Sequence, residues 1–274
     1  MIGCLLAFAL ISKAQLKTPA PSSTQTIKQD FGLGSIELSY SRPNMKGRKI
    51  YGDLVPFGKV WRTGANAATT LTFADEVIIG GTKIPAGKYG LLAIPDKSSW
   101  TFVITKQLDV TSPSAYKQEN DVVRVQAKPE SIKNKVETFT MQFANVKPTS
   151  IELHILWDQT DVFLPITTNI EGRVMSQIDE LMKQEDAKKH PYFGAAMYYM
   201  DNGKDLNQAL TWFNKAAEQN PKAFWVLHQR ANCLAKLGKK QEAIESANKS
   251  IELAKEAKND DYVALNQKLL ATLK

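Results

Sequence analysis

Three guanidinium groups, on Arg42, Arg48 and Arg62, fall within a short stretch that also holds the ammonium of Lys46. An indole, a hydroxyl and a carboxamide accompany them, on Trp61, Thr63 and Asn66. Guanidinium groups grip carboxylate or phosphate oxygens through paired, charge-assisted hydrogen bonds, and a neighbouring ring adds a stacking face. That chemistry is recognition of an anionic small molecule or an anionic glycan. The same residues suit a second task, in which Arg42 and Arg62 pair with Asp53, Asp75 or Glu76, bind loop carbonyls, and Trp61 plugs one end of a core. Long ordered loops need such anchors for their backbone polar groups, which favours the second task.

Signatures of other chemistries are missing. There is no Gly-x-Ser-x-Gly elbow, no phosphate-cradling glycine loop ending in Lys-Ser/Thr and no His-Glu-x-x-His. His154, His190 and His228 lie far apart, and Cys4 and Cys233 are the only cysteines, so no metal site, cofactor or disulfide framework is expected. The net charge is +7. Lys and Arg are interspersed with Asp and Glu, which describes a solvated surface rather than a nucleic-acid footprint.

The elements that must position these residues follow from hydrophobic rhythm. Ile36, Leu38 and Tyr40 alternate with polar neighbours, as do Phe139, Met141 and Phe143, and then Ile151, Leu153, Ile155 and Trp157. A period of two makes half-buried strands. Further runs lie at 68–73, 76–79, 88–94, 100–106, 122–127 and 162–167, separated by turn signals such as Gly80-Gly81, Pro85-Ala86-Gly87 and Lys147-Pro148. Nine or ten short strands without intervening helices predict an antiparallel β-sandwich or jelly roll over 24–168.

Past Glu171 the rhythm becomes helical. Val174, Ile178, Leu181 and Met182 form one stripe, and that helix is expected to end near the His190-Pro191 pair. The segments 209–218 and 243–252 align at a spacing of 34, the tetratricopeptide length, with Gly203 and Gly238 at the turns. Ala209 and Ala243 allow close helix approach, while Leu210, Phe213, Ile244 and Ile251 are expected to fill the space between helix pairs. The helix at Val174 and a last one over 261–273 would cap the stack of this all-α domain, 173–274. Its concave face, with Tyr198, Asn202, Asn232 and Lys236, is a candidate surface for a protein partner; a plain helical hairpin bundle is the alternative.

One stretch is more specific than rhythm. Tyr40-Ser41-Arg42-Pro43, Lys46-Gly47-Arg48, the run Val-Pro-Phe-Gly-Lys-Val-Trp-Arg-Thr-Gly-Ala-Asn ending at Asn66, and Ile84-Pro85-Ala86-Gly87-Lys88-Tyr89-Gly90-Leu91 together resemble the family catalogued as domain of unknown function 2911. The resemblance covers roughly 18–168. It implies a fold and, because its members are mainly exported bacterial proteins, a periplasmic or extracellular location; it implies no reaction. A binding protein is therefore expected in preference to an enzyme. One alternative is an envelope-polymer hydrolase or lyase with Asp53 or Asp96 as acid or base beside the arginines. Another is a purely structural assembly factor.

The start of the chain fits export. Residues 1–11 are nearly all apolar and small residues follow, as in a signal peptide over 1–15 with a Pro/Ser-containing linker at 16–23, although no basic residue precedes the run. Such a run is too short to span a membrane, so no transmembrane span is expected in the mature protein. Cys4 raises lipoprotein anchoring as an alternative, with a poor match around it. Limited proteolysis is expected to cut near 169–172 if the strand-built and helix-built regions are loosely joined.

Overall fold

The structure of the protein, a computed structural model, describes residues 18–273. The signal peptide and Cys4 readings lie outside the described residues. The chain divides into two compact units, Met1–Ile170 and Glu171–Lys274.

Among the described residues the first unit holds ten strands: β1 (Ser23–Phe31), β2 (Gly34–Arg42), β3 (Thr70–Phe73), β4 (Val77–Ile79), β5 (Thr82–Ile84), β6 (Gly87–Ile94), β7 (Trp100–Thr105), β8 (Asp121–Ala127), β9 (Glu130–Ala144) and β10 (Ser150–Thr167). They form two antiparallel sheets, in the orders β1-β2-β3-β6-β7-β8 and β5-β4-β10-β9. The alternating residues do what their spacing predicts. Ile36, Leu38 and Tyr40 from one sheet and Phe139, Met141, Leu153, Ile155 and Trp157 from the other are buried in a single core. At Ser23 the expected linker has already become strand.

β6 and β7 depart from simple alternation, because Leu91, Leu92 and Ala93, and Phe102, Val103 and Ile104, are all buried. Their second face is covered by loop residues: Leu92 and Val103 pack with Val110, Val60 and Tyr116. The loop from β2 to β3 is also stitched into the sheet. β3 pairs with β6 only at residues 87–90 of β6. The slot beside the rest of β6 is taken by Trp61, whose N–H donates to the Ala93 carbonyl (2.8 Å) and whose carbonyl accepts from the Ala93 N–H (3.0 Å). The long loop thus obtains a fixed register without being a strand itself.

Gly90 sits where another loop presses on β6. A Cβ there would lie 2.4 Å from the Gln107 carbonyl oxygen and 2.9 Å from Thr105 Cγ2. Gly90→Ala is expected to cost about 1–3 kcal/mol or more, as overpacking against backbone does. Thermal unfolding checks it, and an unchanged melting temperature would show that the Gln107 turn yields freely.

β10 doubles back on itself. His154 Nδ1 lies 2.9 Å from Asp161 Oδ1, and its ring stacks on Phe163 at 5.1 Å. Seven extended residues would span about 23 Å, so the strand must fold sharply, and it does so where Asp158 has φ 54° and the pairing with β9 shifts. The parity of burial changes there, from Ile151 through Trp157 to Val162, Leu164 and Ile166. Beside this fold the Asn145 amide, and then His154, hold the Glu152 carboxyl below its ordinary 4.5. The stabilisation is present above that value and lost as pH falls through the depressed one. Asn145→Ala is expected to move the Glu152 titration, followed by NMR, back towards 4.5; an unmoved titration would show that the amide contributes nothing.

The second unit is six helices: α1 (Glu171–Met182), α2 (Tyr192–Asp201), α3 (Leu206–Gln219), α4 (Phe224–Lys236), α5 (Lys240–Glu256) and α6 (Asp260–Thr272). α1 ends well before the His190-Pro191 pair. The polar run Lys183-Gln184-Glu185-Asp186 offers no apolar face to bury, and Asp186 caps a short separate turn by accepting from the Lys188 N–H (3.1 Å). The turn between α2 and α3 has Gly203 at φ 64°, and that between α4 and α5 has Gly238 at φ 74°. Asp205 and Asn259 cap α3 and α6.

The repeat shows in burial. Ala209 and Ala243, Phe213 and Ala247, and Ala216 and Ser250 are buried pairs, each one period apart. Ile244 and Ile251, expected as fillers, are only half-buried. α5 instead turns a small-residue face to α4, where Ser246 and Ser250 donate to the Leu227 (2.9 Å) and Phe224 (2.6 Å) carbonyls. Among the described residues no helix is long and apolar enough to cross a membrane.

Candidate functional site

Because the β2–β3 loop is pinned at Trp61, the residues on either side of that point are held in place. They wall a cavity of about 660 Å³ together with Pro21 and Ser22 before β1, Ser112 and Pro113 of the β7–β8 loop, and Trp157 of β10. That volume is typical of small-molecule sites. Its cations are Lys46, Arg48, Lys59 and Arg62, and there is no Asp or Glu among the described residues lining it. Leu54, Val55 and Val60 supply apolar wall.

The tryptophans belong to a packed aromatic group. Trp61 and Trp157 stack at 6.0 Å and 16° between planes, with Phe139 edge-on to both, at 5.2 and 5.4 Å. Tyr51 lies edge-on to Trp61, Trp100 and Trp157. Its hydroxyl is buried without a partner, and that burial, reinforced by Asp158, drives its pKa far up and keeps it neutral.

Four of the seven residues singled out in the sequence meet at this cavity: Lys46, Arg48, Trp61 and Arg62. Arg48 is partly engaged, donating from Nε to the Met45 carbonyl (2.9 Å) and from Nη2 to that of Asn44 (2.6 Å). Arg62 donates from Nη1 to the Thr111 carbonyl (2.6 Å), binding the two loops together, while its Nε–H is buried without a partner. Lys46 holds its backbone at φ 51° with its N–H on Glu137 Oε1 (2.8 Å), leaving an exposed side chain.

The other three lie outside the lining. Arg42 donates from Nε to the Phe139 carbonyl (3.2 Å) and from Nη2 to Thr140 Oγ1 (2.8 Å), joining β2 to β9. Thr63 is fully buried at φ 55°, and its carbonyl accepts from Thr69 Oγ1 (2.6 Å). A β-branched residue rarely adopts such a φ, so the turn after Arg62 stores strain. Asn66 donates to the Ser22 carbonyl (3.0 Å) and fixes the segment before β1. Anchoring to carbonyls therefore holds for Arg42 and Arg62, but through backbone and hydroxyl oxygens, while Glu76 pairs with Lys83 (3.4 Å). Asp53 and Asp96 do not line the cavity.

Lys59 and Trp157 are among the lining residues that sequence reasoning did not single out as site residues. Lys59 lay within the quoted Gly-Lys-Val-Trp-Arg run, two positions before Trp61. Trp157 is remote in sequence, and its strand spacing marked it only as core.

On the helical unit, Tyr198 is half-buried, and burial followed by the Glu171 charge raises its pKa. Asn202 donates to the Tyr198 carbonyl (2.9 Å) at the end of α2, and Lys236 is exposed. Asn232 is half-buried, and its amide lies against His228 Nε2 (3.1 Å) and Gln229 Oε1 (3.2 Å) of its own helix. A hollow of about 540 Å³ on this unit is lined by other residues, among them Asn214, Glu218, Arg230 and Lys249. Among the described residues no three His, Cys, Asp or Glu are grouped to hold a metal ion.

Fold and site together define a two-sheet antiparallel β domain with a basic, loop-walled cavity, followed by a region of repeat helices. The chain belongs to the family described as Protein of unknown function (DUF2911), whose family model matches residues 22–166, more than half of the chain. A tetratricopeptide repeat matches residues 212–245, from within α3 into α5. No curated protein matches the chain.

Proposed function

We propose that the protein is an exported, non-catalytic binding protein: its β unit holds an anionic small molecule or glycan in the loop-walled cavity, and its helical repeats hold a protein partner. The carrying observation is the sign of the cavity, four cations around two tryptophans with no carboxylate among the described lining residues. Such a lining attracts anions and penalises cations. A hydrolase or lyase would need an acid or base at the reacting bond, and Asp53 and Asp96 stand outside the lining. Tetratricopeptide stacks serve as interaction scaffolds, which supports the partner; Tyr198, Asn202 and Lys236 are its candidate contacts. The apolar run at 1–11 supports a periplasmic or extracellular location.

The test is a thermal-shift screen of the whole chain against organic acids, phosphates and glycans. At least one ligand is expected to raise the melting temperature, and the shift is expected to vanish in Lys46→Glu/Lys59→Glu, which alters two exposed side chains and spares the fold. No shift across the panel, with a partner recovered through residues 171–274 alone, would favour the purely structural assembly factor.

A further inference from the structure

We infer that the cavity of the β unit is built for an amphipathic organic anion, one oxyanion head on an apolar or aromatic body, and not for a neutral sugar. This rests on the ligand-site reading above and narrows it. The argument turns on which polar groups of the lining remain uncommitted. Both tryptophans that line the cavity have already donated their indole N–H, Trp61 to the Gly64 carbonyl and Trp157 to that of Glu137, each at 3.1 Å. The half-buried Trp61 can offer a ligand only ring surface, and the buried Trp157 backs it. Asn44 accepts from Thr138 through Oδ1 (2.6 Å), so its amide N–H₂ and one lone pair of Oδ1 remain. Arg48 and Arg62 have given some N–H groups to carbonyls, and all that either guanidinium has left is further N–H. Lys46 and Lys59 are exposed and in no ion pair among the described residues.

Apart from the serine hydroxyls and the second lone pair of Asn44 Oδ1, then, every uncommitted side-chain group of the lining is a donor, and most are charged. A sugar hydroxyl needs an acceptor for its own proton, and burying it without one costs about 1–3 kcal/mol. A carboxylate or phosphate is acceptor-only and matches a lining whose free side-chain groups are mainly donors, with charge-assisted bonds as the gain. Arg62 adds a directional element. With Nη1 held by Thr111, the edge formed by Nε and Nη2 is the one left, and the Nε–H on it has no acceptor. An oxyanion drawn against that edge would supply it. The half-buried Trp61 ring and Val60 and the exposed Leu54 side chain would stay wet under a bare anion, and they fit an apolar body instead.

Carboxylate and phosphate heads share this chemistry, so the experiment carries both. Calorimetric titration of the whole chain would compare indole-3-acetate and decanoate with phenyl phosphate and decyl phosphate. Each is set against its bare head, acetate or inorganic phosphate, and against a neutral counterpart such as indole-3-acetamide or decanol; maltose and chitobiose complete the panel. At least one amphipathic anion is expected to bind about tenfold or more tightly than its neutral counterpart and its bare head. Lys46→Glu/Lys59→Glu is expected to weaken it by a similar factor with an unchanged melting curve. Equal binding of the neutral counterpart, or of the bare head, would overturn the inference. Sugar binding with every anion silent would overturn it while leaving the cavity a ligand site, and silence from all probes would overturn both.

Discussion

Trp157→Ala is expected to remove about 3–5 kcal/mol from the stability of the β unit, the usual cost of emptying a large aromatic site in a core. Trp157 is 1% exposed and touches residues from distant parts of the chain: Trp61 by stacking, Phe139 and Tyr51 edge-on. Its indole N–H also satisfies the Glu137 carbonyl, so truncation orphans an acceptor as well as opening a void. A domain of this size has about 5–15 kcal/mol in hand, which makes the loss a large fraction of the whole. Trp157→Phe separates the two contributions: the ring contacts largely survive, only the hydrogen bond is lost, and about 1–2 kcal/mol is expected. Urea unfolding followed by near-ultraviolet circular dichroism reads both variants. If Trp157→Ala unfolded within about 1 kcal/mol of the parent, the aromatic group would not be the join between the pinned loop and the second sheet.

That join explains which parts of the molecule were legible in advance. Ile36, Leu38 and Tyr40, or Ile151 through Trp157, could be read as strands because one face is buried and the other wet. β1 was less visible: Thr24, Thr26, Lys28 and Asp30 are exposed and Gln25, Ile27 and Gln29 only half-buried, as expected of an edge strand with little apolar content. β5 is three residues long, too short to carry a period. In the loop, residue type announced the chemistry but not the convergence. Arg42 and Arg48 are six positions apart and look alike in sequence, yet one reaches across to β9 and the other stays on its own turn beside the cavity. What separates them is the pairing of the chain after β2 with β9 at Asn44 and Thr138, a long-range contact that no local pattern contains. The helical unit shows the converse. The period of 34 paired Ala209 with Ala243, both buried, but it carried no information on whether the amides of Asn232 and Asn266 face a groove or the interior.

Asn266 faces the interior, and Asn266→Ala is expected to cost the helical unit about 2–4 kcal/mol in consequence. Asn266 is fully buried and its amide nitrogen donates to Ser250 Oγ (2.9 Å) and to the Tyr262 carbonyl (2.7 Å). Its oxygen must then be the acceptor for His228 Nδ1 at 2.9 Å, which places the imidazole proton on Nδ1. His228 Nε2 is left to accept from the Asn232 amide, as its distance of 3.1 Å allows. Ser250 in turn donates to the Phe224 carbonyl, so one chain of hydrogen bonds with consistent polarity links α4, α5 and α6. Removing Asn266 leaves the His228 N–H buried without an acceptor, and an unmade buried bond costs more than a made one contributes. Asn266→Leu is expected to be nearly as damaging, because the space is filled but the donor is still stranded. Replacing both partners, His228→Leu/Asn266→Leu, is expected to recover about 1–3 kcal/mol relative to the sum of the two single changes, since the unpaired group then no longer exists. Chemical unfolding of the four proteins measures that coupling. Additivity would mean that the three helices are held by apolar packing alone and that the polar chain between them is incidental.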